Sequence, residues 1–341
     1  MKSKQRVVNG AAWFFVLLIA IHLILYFALR GTEFYRNMTV VTNILLSQST
    51  ILIPTIIYII VARVDIKETL RIRKTHWAAI FLVPIWVVAI EPLTAVINSI
   101  SMLWVENTTS NLAMSLVTNN KFIVSFLLMA VTPGIVEELA YRGVLLGSFR
   151  QKGPIVGILV SGLFFGLMHM NFNQMAYAVV IGIIFGLLVE VTGSILTTMY
   201  AHLCFNGVSV VLSYVLSHLQ SSGNMPKVTG STQLGKNEIM LAVAVMLPMA
   251  IVGLAVAFAI MYALAVLNKR DKYIFGLFKK NKATSEQQVY TVNQPAPGNQ
   301  LSPDNQLESG NQPEKVKLIS VPFIIGIVAC IGFVILNEFV L

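Results

Sequence analysis

Nine long apolar runs dominate the sequence, at roughly 11–29, 44–62, 78–103, 122–149, 154–171, 174–190, 195–219, 239–267 and 319–340. About 20 apolar residues are what an α-helix needs to cross a hydrocarbon core of about 30 Å. Inside lipid every backbone N–H and C=O must be satisfied internally, which leaves helices as the natural solution for runs of this length. The 341 residues are 56% hydrophobic and only 11% charged, with a mean hydropathy of +0.76. That balance excludes an ordinary soluble domain. The expected fold is all-α, a polytopic transmembrane helical bundle of about nine spans in the cell membrane. The fifth and sixth runs are short, which suggests a helical hairpin with a tight connection at Asn171–Asn173.

The basic start MKSKQRVVNG followed by an apolar run imitates a signal peptide. The run is long enough to span, and no clear small-residue cleavage site follows it, so it reads as an uncleaved first transmembrane helix. With the N-terminus cytoplasmic, eighteen of the 24 Lys and Arg residues fall on the inner side and five on the outer side. This asymmetry follows the positive-inside rule and supports nine spans. Arg142 is the residue left inside a span. The net charge of +9 does not point to nucleic acid, because the basic residues cluster beside apolar segments. Cys204 and Cys330 both lie in apolar runs and form neither a disulfide framework nor a CxxC pair.

Residues 283–314 are rich in Gln, Asn, Pro, Ser and Gly and cannot build a core, which predicts a disordered cytoplasmic linker. The basic stretch before it, 268–282, belongs at the inner leaflet, where it reads as an ordinary positive-inside signal. The last span stands apart from the rest, and no internal repeat of the transporter kind is evident.

Ionisable side chains at membrane depth cost roughly 2.5–3.5 kcal/mol on insertion scales, so each is a functional candidate or half of a pair. The candidates are Glu91, Glu137, Glu138, Arg142, His169, His202 and Glu190, with Asn206 as a neutral addition. Glu138 and Arg142 are four apart and meet on one helix face as a clamp. Glu137 is rotated by about 100° from Glu138 and looks elsewhere. Pro133–Gly134 suggests a break with a fresh helix N-terminus near Ile135, which would place Glu137 in a first turn that favours an anion. His202 and Asn206 are also four apart. At about 1.5 Å per residue, Glu137, His169 and His202 lie roughly 18, 22 and 10 Å from the inner face, close enough for one cavity. His22, His76 and His218 fall elsewhere. A carboxylate with an imidazole can hold and deprotonate a water. A second imidazole and an amide can stabilise an oxyanion. Together these suit peptide-bond hydrolysis. Glu and two His also resemble a catalytic zinc set, with Glu137, His169 and His202 as ligands. HExxH, GxSG and GxGD motifs are absent.

EELAYR (137–142), FGLMH (165–169) and HLCFN (202–206), in this order on successive spans, resemble the EExxxR, FxxxH and HxxxN motifs of the CAAX prenyl protease and bacteriocin-processing (Abi) family of intramembrane proteases. The resemblance covers about 121–219. It implies an intramembrane endopeptidase acting on a membrane-associated or lipid-modified peptide. Carried over, Glu137 would be the general base, His169 its partner, His202 and Asn206 the oxyanion hole, and Glu138 and Arg142 supports. A mechanism without cofactor is preferred, with zinc as the alternative, since the set lacks a familiar zinc spacing. A non-catalytic immunity or scaffold protein on the same fold, or a proton-coupled transporter, would be the other uses of such a bundle. The expected organisation is N-terminal helices over 1–120, a protease-type core over 121–219, a further helix within 220–267, a basic and then disordered linker over 268–318, and a C-terminal helix over 319–341. Substrate identity and oligomeric state are not written in the motifs.

Overall fold

The computed structural model describes residues 3–222, 235–278 and 316–339. The linker expected at 283–314 lies outside the described residues. Eleven helices of eight residues or more organise the described residues: α1 (Lys4–Leu29), α2 (Val40–Val61), α3 (Ala79–Ser101), α4 (Thr108–Asn119), α5 (Phe122–Lys152), α6 (Pro154–Leu167), α7 (Phe172–Thr192), α8 (Ile195–Ser221), α9 (Lys236–Leu267), α10 (Asp271–Phe278) and α11 (Val321–Phe339). Among the described residues, eight of these are long and apolar enough to cross a membrane. The chain is an integral, multi-pass, all-α membrane protein.

One expected span needs correction. The run at 154–171 forms α6, which has only 14 residues and stops at Leu167. Gly153, at φ 133°, and Pro154 fix its start. At its end Met170 turns left-handed, at φ 50°, and Asn171 caps α7 by accepting a hydrogen bond from the Gln174 N–H at 2.9 Å. The polar turn thus consumes residues that the apolar count had assigned to the span. The hairpin itself is present. Its two helices approach closely because neither Gly162 nor Gly182 carries a side chain: a Cβ on Gly162 would meet the Ile183 backbone at 2.7 Å. Small residues at such contacts are how helices gain van der Waals packing where lipid gives no hydrophobic drive.

The buried side chains form two cores. One joins α1, α5, α6 and α11, around Phe15 stacked on Phe164 at 3.8 Å, with Phe149 and Phe323 against them. The last helix is therefore packed against the rest, not set apart as its sequence position suggests. The other core joins α3, α7, α8 and α9, around Trp86, Phe185 and Leu188. Ile57, Phe81, Leu212 and Phe258 face outward, as a lipid boundary requires. Where the two cores meet, α5 and α6 face α7 and α8, and the polar residues gather there.

Candidate active site

The backbone of α5 is irregular at two places. Leu127–Val131 and Leu139–Leu145 are π-turns, on either side of the α-helical Thr132–Glu138. Such turns often occur at functional sites. The first explains why Pro133 does not break the helix. A proline has no N–H for the carbonyl four residues back, here that of Met129. Asn206 Nδ2 donates to that carbonyl at 2.9 Å, and Thr132 Oγ1 donates to the Leu127 carbonyl at 2.9 Å. The expected fresh N-terminus near Ile135 is therefore corrected: α5 runs through, and Glu137 sits in helix interior, not in a first turn. Gly134 lets α5 reach the α8 backbone. A Cβ there would come within 3.1 Å of Leu203 N and 3.2 Å of the Met199 carbonyl.

Glu138 and Arg142 form the clamp that their spacing predicts. Arg142 Nη1 donates to Glu138 Oε1 at 2.7 Å, and both side chains are fully buried. Arg142 also packs its guanidinium over Phe165 at 4.1 Å and Phe185 at 5.4 Å, a pair of cation–π contacts from opposite cores. The same Glu138 oxygen receives His202 Nδ1 at 2.9 Å. A carboxylate can only accept there, so Nδ1 carries the proton and Nε2 is turned toward Glu137, 3.9 Å from its Oε2. The Phe165 and Phe185 rings meet the His202 ring edge to face at 5.9 and 5.7 Å and hold its plane.

Glu137 has a partner that the motifs did not reveal. Gln48 of α2 donates from Nε2 to Glu137 Oε1 at 2.9 Å, and the Gln48 Oε1 is buried without a hydrogen-bond partner. His169 lies just beyond α6, and its Nδ1 contacts the Phe165 carbonyl at 2.7 Å. A carbonyl accepts, so the proton is on Nδ1 and Nε2 is left as an acceptor when the ring is neutral. Glu137 and His202 both lie within electrostatic reach of His169. The structure thus brings together Glu137, Glu138, Arg142, His169 and His202, with Asn206 one turn along α8. Among the described residues, no group of three or more His, Cys, Asp or Glu side chains is placed to hold a metal ion. His169 and His202 each direct Nδ1 to an acceptor, which leaves the Nε2 of each ring for other partners.

The remaining candidates go elsewhere. Glu91 accepts a long hydrogen bond from Thr94 on its own helix, at 3.4 Å. Glu190 belongs to a separate ion cluster with Arg71 (2.8 Å), Arg150 (2.7 Å) and Arg270 (3.6 Å). His22 is on α1, His76 caps the start of α3 by accepting from the Ala78 N–H, and His218 is near the far end of α8. Cys204 and Cys330 are free thiols.

An eight-span bundle with carboxylates and imidazoles buried at its centre is the architecture of a membrane protein that handles polar chemistry within lipid. Residues 119–208 match the sequence model of a family described as type II CAAX prenyl endopeptidase Rce1-like. That segment runs from the end of α4 past Asn206, and over its length it bears out the resemblance to CAAX proteases. No curated protein and no solved structure matches the chain.

Proposed function

We propose that the protein is an intramembrane endopeptidase that cleaves a peptide bond in a membrane-associated or lipid-modified peptide with a water activated by Glu137. The observation that carries this reading is the division of labour between adjacent carboxylates. Glu138 is engaged through Oε1 by both Arg142 and His202, whereas Glu137 is held by one neutral amide and keeps an oxygen facing the His202 ring. A purely structural carboxylate at this depth would be expected to sit in direct contact with a guanidinium, as Glu138 does with Arg142.

In this mechanism a water between α5 and α6 donates one hydrogen to Glu137 and the other to His169 Nε2. Its oxygen attacks the scissile carbonyl as Glu137 takes the proton. Gln48 keeps the carboxylate turned toward the water. The oxyanion receives hydrogen bonds from His202 Nε2–H, with the ring charged, and from the second hydrogen of the Asn206 amide. Collapse of the tetrahedral intermediate sends the proton from Glu137 to the leaving amine.

The test is cleavage of a peptide library by detergent-purified protein, comparing wild type with Glu137→Gln, with and without a chelator. We expect the variant to lose about 10²–10⁴-fold in rate and the chelator to change nothing. Chelator-sensitive cleavage would move the reading to the zinc set Glu137, His169 and His202. Full activity in Glu137→Gln would overturn it.

A further inference from the structure

The turn that presents His169 is not self-supporting. Just after His169, Met170 occupies the left-handed region at φ 50°, which is strained for a residue with a side chain. Asn171 is extended, and α7 begins at Phe172 with free N–H groups. Both residues lean on the last helix. Glu338 of α11 accepts through one oxygen, Oε1, from Asn171 Nδ2 and from the Phe172 N–H, each at 3.2 Å. Asn171 in turn uses its Oδ1 to cap Gln174 N. One carboxylate therefore satisfies the first N–H of α7 directly and orients the side chain that satisfies the N–H of Gln174. A negative acceptor suits the positive end of a helix.

Glu338 arrives on an anchored helix. At the other end, Gln5 exchanges two hydrogen bonds with the Lys317 backbone, at 3.1 and 2.6 Å, and Lys152 reaches the Val316 carbonyl. In the first turn of α11, Phe323 packs on Phe149 and Phe164, within α5 and α6. Near Glu338, Tyr26 donates to Asn337 at 3.3 Å. The helix that lies outside the family-matched segment thus reaches the residues next to His169 with a charged acceptor.

We infer that Glu338 is a positioning residue for His169: it fixes the turn that aims the imidazole Nε2 into the site. The catalytic consequence rests on the protease reading above; the structural one does not. Both bonds fall on a single oxygen, so a glutamine can reproduce them and an alanine cannot.

The experiment uses full-length protein labelled with ¹⁵N-histidine in detergent, with His169 assigned by a His169→Gln variant. Wild type should show His169 as the Nδ1–H tautomer. Glu338→Ala should shift or split that signal, and Glu338→Gln should restore it. In the cleavage assay Glu338→Ala should lose about 10- to 100-fold in kcat with KM kept, and Glu338→Gln should recover it. If Glu338→Ala does not fold, Asn171→Asp replaces it. That change pits two carboxylates against each other and should disturb the same signal, and the double variant Asn171→Asp, Glu338→Gln should repair it. An unchanged His169 signal in both disruptive variants overturns the inference, as does a Glu338→Gln that is as damaging as Glu338→Ala. If no form cleaves any peptide while the signal still follows Glu338, the positioning stands and the protease reading falls.

Discussion

Two buried ion clusters lie along α7, built from the same side chains in opposite proportion. Arg142 reaches toward the Gly182 carbonyl, at 3.5 Å, and Glu190 is eight residues further on, about 12 Å along the helix. The inner cluster has two carboxylates, Glu137 and Glu138, for one guanidinium. The outer one has a single carboxylate, Glu190, for the guanidinium groups of Arg71, Arg150 and Arg270, and also takes the Tyr273 hydroxyl at 2.7 Å. In the inner cluster Glu138 and Arg142 are fully buried, with Arg142 between Phe165 and Phe185, while Glu137 keeps 13% of its side chain exposed. The outer arginines keep 13–24% of their side chains exposed. Surplus positive charge near a basic membrane face is solvated and tolerated. At the centre the second carboxylate, Glu137, has no guanidinium of its own and faces the His202 ring at 3.9 Å. The outer cluster therefore reads as a lock between the 63–78 loop, α5, α7 and α10, and the inner one as a lock with a spare carboxylate.

The most damaging way to probe this contrast is Arg142→Met. It leaves Glu138 buried without its guanidinium, so we expect a loss of about 3–5 kcal/mol, read as a lower thermal midpoint in detergent, together with loss of cleavage. Glu190→Gln should be milder, at about 1–3 kcal/mol, because its arginines can turn to water, and the cleavage rate per folded molecule should hold. If Glu190→Gln abolishes cleavage while the fold survives, the two clusters are one functional unit and the contrast fails. The smallest effect is at the rim. Tyr273 lies outside the spans, and burial and the Glu190 carboxylate raise its pKa above the usual tyrosine value of about 10. A raised folded pKa means that its contribution is complete below about pH 10 and is lost as pH climbs through the folded value. Tyr273→Phe should cost about 0.5–1.5 kcal/mol near neutrality and flatten the alkaline slope of a melting series; an unchanged slope would remove Tyr273 from the lock.

The sequence made the bundle and half of the inner cluster legible, for clear physical reasons. Run length specifies a span because bilayer thickness is fixed, and spacing of four specifies Glu138–Arg142 because helix geometry is local. Gln48 was invisible because it is 89 residues from Glu137 and is an uncharged amide among the Thr and Ser residues of α2. The Glu190 cluster was hidden for the same reason, its partners being 119, 40 and 80 residues distant. Pro133 misled because its local effect, a lost hydrogen bond, is absorbed by a π-turn and by Asn206 on another helix. Glu338 could not be connected to His169 by any pattern of spacing.

The shortness of α6 has a consequence for the lipid around it. Fourteen residues rise about 21 Å, some 9 Å less than a typical hydrocarbon core. Its outward side is apolar, with Leu159 exposed. A bilayer meeting a helix this short accommodates the mismatch by thinning beside it. The headgroup region would then dip toward the turn that carries His169, bringing hydration to the end of the site where a hydrolase must find its water.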